Sequence, residues 1–317
     1  METVSAFQHA SVLPVEVLKC LRPRPGEFFV DGTLGGGGHA RLILEATAPD
    51  GRLLGLDRDQ DALEAASRTL APYRDRVTLC HRNFSEVARV LEELGMDGMD
   101  GMLLDLGVSS YHLDAGHRGF SFQVDAPLDM RMDRSSGPTA ADILAGYAVE
   151  DLARVFRDYG EERYARRIAR RITEIRDEKP LTSTVQLAEL VRDCVPRGRG
   201  PVRIHPATRV FQALRIEVNS ELDHVARGLE EAIDCLRPGG RLAVISFHSL
   251  EDRLVKHFFR DQSQGCVCPP RLPRCVCEHR PRVEVLNRRG IRAGTAEVAA
   301  NPRSRSAVLR AVRRCRE

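Results

Sequence analysis

The chain has 317 residues, with 48 Lys+Arg against 45 Asp+Glu and a formal net charge of +3. With no Trp, 5% aromatic and 42% hydrophobic residues, it fits a folded globular protein of one large or two ordinary domains and excludes a disordered or collagen-like chain. No stretch approaches the ~20 apolar residues that cross a bilayer, and METVSAFQHA lacks the apolar core of a signal peptide, so a cytoplasmic chain with no membrane partner is expected.

The first hundred residues alternate strand-like and helix-like patterns. Glu27 to Asp31 is a short apolar run ending in an acid, and the glycine loop Gly32 to Gly38 leads into a helical stretch carrying Leu42, Ile43 and Ala46. Arg52 to Asp57 is a second such strand, followed by the helical run Asp61 to Leu70; Val77 to Cys80 and Gly101 to Asp105 make a third and a fourth. Continuous apolar runs of this length, separated by amphipathic helices, indicate a parallel sheet covered on both faces. From about Tyr111 to Arg209 no good strand occurs. Tyr164, Ile168, Ile172 and Ile175 repeat at helical spacing, with Arg163, Arg166, Arg167, Arg170 and Arg171 on the other face. Leu181 to Val191 predicts another helix, and Thr208 to Leu236 a longer one. The strand pattern then returns: Arg237 to Gly240 as a turn, Arg241 to Phe247 as a strand, and Val283 to Leu286 with Ser306 to Val312 as a closing pair. One α/β sheet interrupted by a helical insertion follows, with segments 1–110, 111–210 and 211–317.

Asp31-Gly32-Thr33-Leu34-Gly35-Gly36-Gly37-Gly38-His39 lies between a strand and a helix, where glycines let the backbone turn sharply and approach a ligand. The next strand ends at Asp57, 22 residues beyond Gly35, where a doubly wound sheet places the carboxylate that binds ribose hydroxyls. Gly35-x-Gly37-x-x-Ala40 also satisfies the dinucleotide fingerprint, which keeps a nicotinamide enzyme open. Asp31 weighs against it: a carboxylate there would sit near a pyrophosphate but would suit a cationic aminoacyl group. The resumption of strands after the insertion, the last two adjacent, resembles the class I S-adenosylmethionine-dependent methyltransferase sheet, mostly parallel with an antiparallel last strand.

A set of motifs makes the resemblance specific. Leu103 to Ser110 is followed by Arg118-Gly119-Phe120-Ser121-Phe122 and by Pro127 to Asp133. Then come Tyr159 to Arg163, His205 to Arg209 with Phe211 to Arg215, Ile245 to Arg253, and Asn301 to Ser306. In this order, from about His9 to Val312, the set resembles the bacterial small-subunit ribosomal RNA cytosine-N4 methyltransferase family, often called MraW or RsmH. The resemblance implies methyl transfer from S-adenosylmethionine to the exocyclic amine of a cytidine in the ribosomal decoding region. It implies cofactor contacts at Gly37, Gly38, His39 and Asp57, the last on the ribose, with Phe84 near the adenine and Asp105 near the amino-acid end. His112 stands where the family usually has glutamine. The implied partner is small-subunit ribosomal RNA within a ribosomal particle; a homodimer stays open. A non-catalytic assembly factor is the third reading, against which the intact Asp57 and glycine loop speak.

The Asp/Asn-Pro-Pro-aromatic turn of many amino-methyltransferases is absent: Asp105-Leu106-Gly107-Val108 lacks both prolines and the aromatic, so no general base is assigned. Carbonyls near Leu106 to Val108, or Ser246 and His248, are candidates to meet the base; His248 reads equally well as a histidine closing the sheet. Asp129-Met130-Arg131-Met132-Asp133 reads as a lid against the target cytidine or as an ion-paired loop, and the resemblance favours the lid.

Five of nine cysteines (Cys20, Cys80, Cys194, Cys235, Cys315) are scattered singly, which does not suggest a disulfide framework. Cys266-x-Cys268 and Cys275-x-Cys277 lie within twelve residues and suit a tetrahedral zinc, although the spacing is tighter than usual and a reduced surface loop remains the alternative. Finally, only Lys19, Lys179 and Lys256 are lysines, so the other 45 cations are arginines. Codon bias explains that choice, but not their distribution. Residues 154–215 carry 15 cations against 8 anions and residues 271–317 carry 13 against 4, two surfaces suited to holding an RNA backbone.

Overall fold

The computed structural model describes residues 11–107, 116–196, 205–266, 268, 274, 276–277 and 279–316. The chain divides into two compact units, residues 1–107 with 222–317, and residues 108–221.

Among the described residues, the first unit is built on one seven-stranded sheet of order β3-β2-β1-β4-β5-β7-β6. Its strands are β1 (Phe28–Asp31), β2 (Arg52–Asp57), β3 (Val77–His81), β4 (Met99–Asp105), β5 (Leu236–Ser246), β6 (Val283–Val285) and β7 (Val308–Arg314). Strands β1 to β5 run parallel, in the registers Asp31↔Gly55, Asp31↔Leu103 and Asp105↔Ile245, while β7 lies antiparallel between β5 and β6. This is the class I methyltransferase-type sheet expected from the strand pattern. Apolar runs fill both faces: Val30, Leu54, Met102 and Val244 in one buried cluster, Phe29, Leu53, Leu103 and Ala243 in another. Alternate residues of a strand point to opposite faces, so a run without polar interruption must be covered twice.

The covering helices are α1 (Pro14–Leu21), α2 (Gly38–Ala46), α3 (Gln60–Thr69) and α4 (Val87–Glu93). Asp59 caps α3 by accepting from the Asp61 amide. Because β1 lies between β2 and β4, successive connections leave it in opposite directions, and a crevice opens beyond the carboxyl ends of β1 and β4. The expected turn Arg237 to Gly240 is instead part of β5. Between the pairs Met99↔Leu236 and Gly101↔Arg241 the register shifts, and Gly239 (φ +86°) absorbs the extra residues.

The second unit contains α5 (Ala140–Gly146), α6 (Val149–Asp158), α7 (Ala165–Ile175), α8 (Thr184–Cys194) and α9 (Ala207–Asn219) around its own apolar core. Capping boxes start α5 (Thr139 with Asp142) and α8 (Ser183 with Gln186). The single helix expected over Thr208 to Leu236 is two, α9 and α10 (Glu221–Cys235). Ser220 is left-handed (φ 47°), and the side chain of Asn219 explains the break. Its amide donates to the Met130 and Arg215 carbonyls and its Oδ1 accepts from the Met132 amide, satisfying backbone groups that a continuous helix would leave unmade. Arg215 pairs Glu221 across the break through two bonds of 2.8 and 2.9 Å. The unit therefore runs to Glu221 rather than ending near residue 210.

Gly101 shows how tightly the sheet packs. A Cβ there would lie 2.3 Å from the Phe29 ring, itself fully buried. Gly101→Ala should cost about 1–3 kcal/mol through overpacking; an unchanged midpoint in denaturant titration would show that the ring can yield.

Candidate active site

Strands β1, β2 and β4 each end in an acid, and their parallel registers bring Asp31, Asp57 and Asp105 to the same end of the sheet. The glycine loop is held there by its neighbours. Gly35 (φ +51°) donates its amide to Asp57 Oδ2 at 2.9 Å, and the Asp59 amide donates to Oδ1 at 2.9 Å. Gly37 (φ +80°) turns the chain into α2 against α3, with the Ala66 backbone 3.4 Å from where a Cβ would stand. Around Gly36 nothing lies within 4 Å of that position, so the loop is open at its crest. Gly38 opens α2 and His39 follows it, buried.

The remaining expected residues fall in place around this loop. Asp105 Oδ2 lies 3.8 Å from His39 Nε2. Phe84 follows β3 in a short 3₁₀ turn that Asn83 caps through Ser85, and it packs against Gly32 on β1's side and Gly228 of α10. A Cβ on Gly228 would come within 2.4 Å of the ring. His112, expected among the cofactor contacts, lies outside the described residues.

Thr33 and Glu251 carried no signal in the spacing, unlike Ser246 and His248. Thr33 ties two strand ends together: its Oγ1 accepts from the Asp105 amide at 2.5 Å, and its own amide donates to Asp31 Oδ1 at 3.2 Å. Glu251 is buried and accepts from the Phe247 amide at 2.8 Å. Ser246 is buried at the end of β5, its hydroxyl without a hydrogen-bond partner among the described residues. His248 caps α11 (Ser249–Gln262): Nδ1 accepts from the Glu251 amide and Nε2 stands 3.1 Å from Glu251 Oε1. Nδ1 is thereby committed to closing the strand–helix corner, while Nε2 is buried without a hydrogen-bond partner among the described residues.

The electrostatics follow from burial. Desolvation pushes the Asp31 carboxyl up to about 7, the hydrogen bond from the Thr33 amide opposing and Asp57 adding to the rise. It pushes Asp105 up to about 8, with smaller contributions from Asp31 and Glu251. Among the described residues no arginine or lysine is within ion-pair distance of either, and Asp105 Oδ1 is buried with no hydrogen-bond partner. A ligand carrying positive charge is what this arrangement lacks. A sulfonium nucleoside with an α-ammonium group fits: cationic at two points, with ribose hydroxyls for a carboxylate at Asp57's position. A pyrophosphate would meet like charge.

Elsewhere the arginines divide into two kinds. Many in the C-terminal segment are spent internally. Arg310 forms a bidentate pair with Asp252 (2.7 and 3.1 Å), Arg282 pairs Glu230 and Asp234, Arg313 pairs Glu284, and Arg314 donates to carbonyls of residues 233, 234 and 236. On α7, by contrast, Arg166, Arg167 and Arg170 are exposed and form no ion pair among the described residues. In the 127–133 segment, Arg131 grips Asp129 through bonds of 2.7 and 3.1 Å, which holds that carboxyl below its usual range despite partial burial, while Met130 and Met132 point into the core.

A raised carboxyl makes the folded protein hold protons that the unfolded chain releases near pH 4. The stabilisation relative to the ionised state is full below about pH 4, erodes as pH rises, and is gone above about pH 8. Asp105→Asn should therefore gain stability over the parent as pH increases from 5 to 8.5, read as a widening gap between melting temperatures; a gap independent of pH would contradict the buried carboxyl.

The profile of the MraW methylase family matches residues 6–315. The protein named Ribosomal RNA small subunit methyltransferase H from Syntrophotalea carbinolica is 65% identical over 312 residues, 98% of this chain and 99% of that one. Its namesake from Geobacter sulfurreducens is 58% identical over 305 residues, 96% and 98% of the two chains. With a profile spanning almost every residue and relatives this similar over their full length, the chain belongs to the MraW methylase family.

Proposed function

We propose that the chain is an S-adenosylmethionine-dependent methyltransferase that acts on small-subunit ribosomal RNA, at the exocyclic N4 of a cytidine in the decoding region. The observation that carries the cofactor is a pair of carboxyls, Asp31 buried and Asp105 partly buried, with no cation beside them among the described residues and an open glycine loop next to them. Family membership and the names of the relatives support the RNA substrate. Residues 1–110 and 211–317 would form the cofactor half, and the helical insertion the substrate half.

Bound S-adenosylmethionine supplies an electrophilic methyl on sulfur. Asp57 orients the ribose while holding the loop through Gly35, and the Phe84 ring offers a flat apolar surface to the adenine. Asp31 and Asp105 ionise when the ligand's positive charge arrives, so their negative charge is stabilised only when the site is filled. The cytosine amine is a weak nucleophile because its lone pair is delocalised into the ring. Positioning beside the methyl supplies much of the rate; as the new N–C bond would form, the methyl–sulfur bond would break to leave a neutral thioether, and the proton released from the amine would pass to solvent. Ser246, whose buried hydroxyl has no hydrogen-bond partner among the described residues, is suited to hold that amine, while His248 spends Nδ1 on the helix cap and keeps only Nε2 without such a bond.

The exposed α7 arginines are suited to holding phosphates without reading bases. They border a groove of about 820 Å³ whose other wall carries Glu189 and Asp193 on α8, so the contact surface is the α7 ridge rather than the groove floor. The substrate is proposed to be presented in a ribosomal particle, in the cytoplasm, and the reading requires no second copy of the chain. A structural zinc in the cysteine loop would take no part in the transfer.

Methyl label carried on the cofactor should appear at N4 of a cytidine in small-subunit RNA, tested as naked RNA and as assembled particle; no label in either overturns the reading. Asp57→Ala should weaken S-adenosylmethionine binding by about 10- to 100-fold, the worth of a charged hydrogen-bond acceptor. Unchanged affinity by calorimetry would remove Asp57 from the site.

A further inference from the structure

We propose that Cys266, Cys268 and Cys277 are three ligands of a structural zinc ion that fastens the connection between α11 and β6. The three sulfur atoms lie within 4.8 Å of one another, and Cys266 Sγ stands 3.8 Å from Cys277 Sγ. A disulfide would bring sulfurs to about 2.05 Å. Zinc–sulfur bonds of about 2.3 Å in a tetrahedron set sulfurs about 3.8 Å apart. The observed separation is that of a tetrahedral edge, and Cys266, Cys268 and Cys277 are not in disulfides. The Val276 amide donates to Cys268 Sγ at 3.4 Å, which helps hold that sulfur beside the other two.

A closed zinc site takes a fourth donor beside three thiolates, and His279, two residues beyond Cys277, presents an Nδ1 that is buried without a hydrogen-bond partner among the described residues.

The connection needs such a fastening. Its base is closed where the Arg282 amide donates to the Gln262 carbonyl at 2.9 Å and the Arg282 guanidinium pairs Glu230 and Asp234. Above that base Val276 is 73% exposed, so this apolar residue gives the loop no buried anchor. A metal substitutes for apolar burial in segments too small to supply it. Each coordinating thiol gives its proton to solvent as its bond to the metal forms, so binding is accompanied by proton release.

The test reads metal rather than methyl transfer, so it can fail while the proposed activity stands. Full-length protein purified without chelator and reconstituted with zinc should hold one zinc per chain. Cobalt in its place should show the intense ligand-field bands of tetrahedral sulfur coordination. Cys266→Ser with Cys277→Ser should abolish retention, whereas Cys80→Ser should not. Because the double variant could also misfold, the parent is cleaved by protease with and without chelator. Stripping the metal should speed cutting between residues 263 and 281 by about tenfold or more, as for a locally opened loop. Zinc-free protein after reconstitution, metal retained by the double variant, or cleavage indifferent to chelator each overturns the site.

Discussion

Asp31 and Asp105 are carboxyl groups largely withdrawn from water with no arginine or lysine beside them among the described residues, and this end of the sheet is organised around that cost. Removing a carboxylate from water is expensive unless charge or hydrogen bonds compensate. Here the compensation inside the chain is partial: one amide for Asp31, and for Asp105 a histidine at 3.8 Å. Both groups respond by holding their protons near neutrality. The fold positions this frustration at the point where the sheet's connections diverge, where a ligand can reach it. Thr33 and Asp57, by contrast, use their polar atoms to brace the loop, so the scaffold is set before a ligand arrives.

The same economy of charge separates the two arginine-rich stretches. Both carry an excess of cations in the sequence, yet their guanidinium groups do different work. Arg282, Arg310 and Arg313 satisfy acids from other elements of the sheet unit, and Arg314 satisfies carbonyls near the α10–β5 junction. The α7 arginines have an apolar stripe beneath them, with Ile168 and Ile172 buried, and face solvent. Local charge count could not distinguish them, because the acids that neutralise Arg310 and Arg282 lie 48 to 58 residues away.

Much of the sheet was legible because its strands are buried on both faces and so read as unbroken apolar runs ending in Asp31, Asp57 and Asp105. The glycine loop was legible for a related reason: positive φ at Gly35 and Gly37 demands that residue type. What periodicity could not show was the break at Ser220, since the apolar spacing continues from α9 into α10. The break depends on Asn219 meeting Met130 and Met132, almost ninety residues earlier in the chain. The part Asp57 plays in bracing the loop was also hidden. A carboxylate at a strand end signals a ribose, but its bonds to Gly35 and Asp59 exist only in the folded loop. Likewise the capping role of His248 needed the geometry of Glu251, whereas the ion-paired alternative for residues 127–133 was legible and the Arg131–Asp129 pair bears it out.

The position of β7 bears on how the molecule is made. It follows β6 in the chain yet lies between β5 and β6 in the sheet, so neither neighbour can complete its ladder until β7 has been synthesised. Until then β5 presents an unpaired edge, and Asp252 lacks the Arg310 partner that neutralises it. A nascent chain can thus assemble β1 to β4 while it is still emerging, but closure of the sheet waits for its late strand. During that interval the open edge of β5 is a site where another unfinished chain could pair, which makes the speed of β7 docking a determinant of yield as well as of stability.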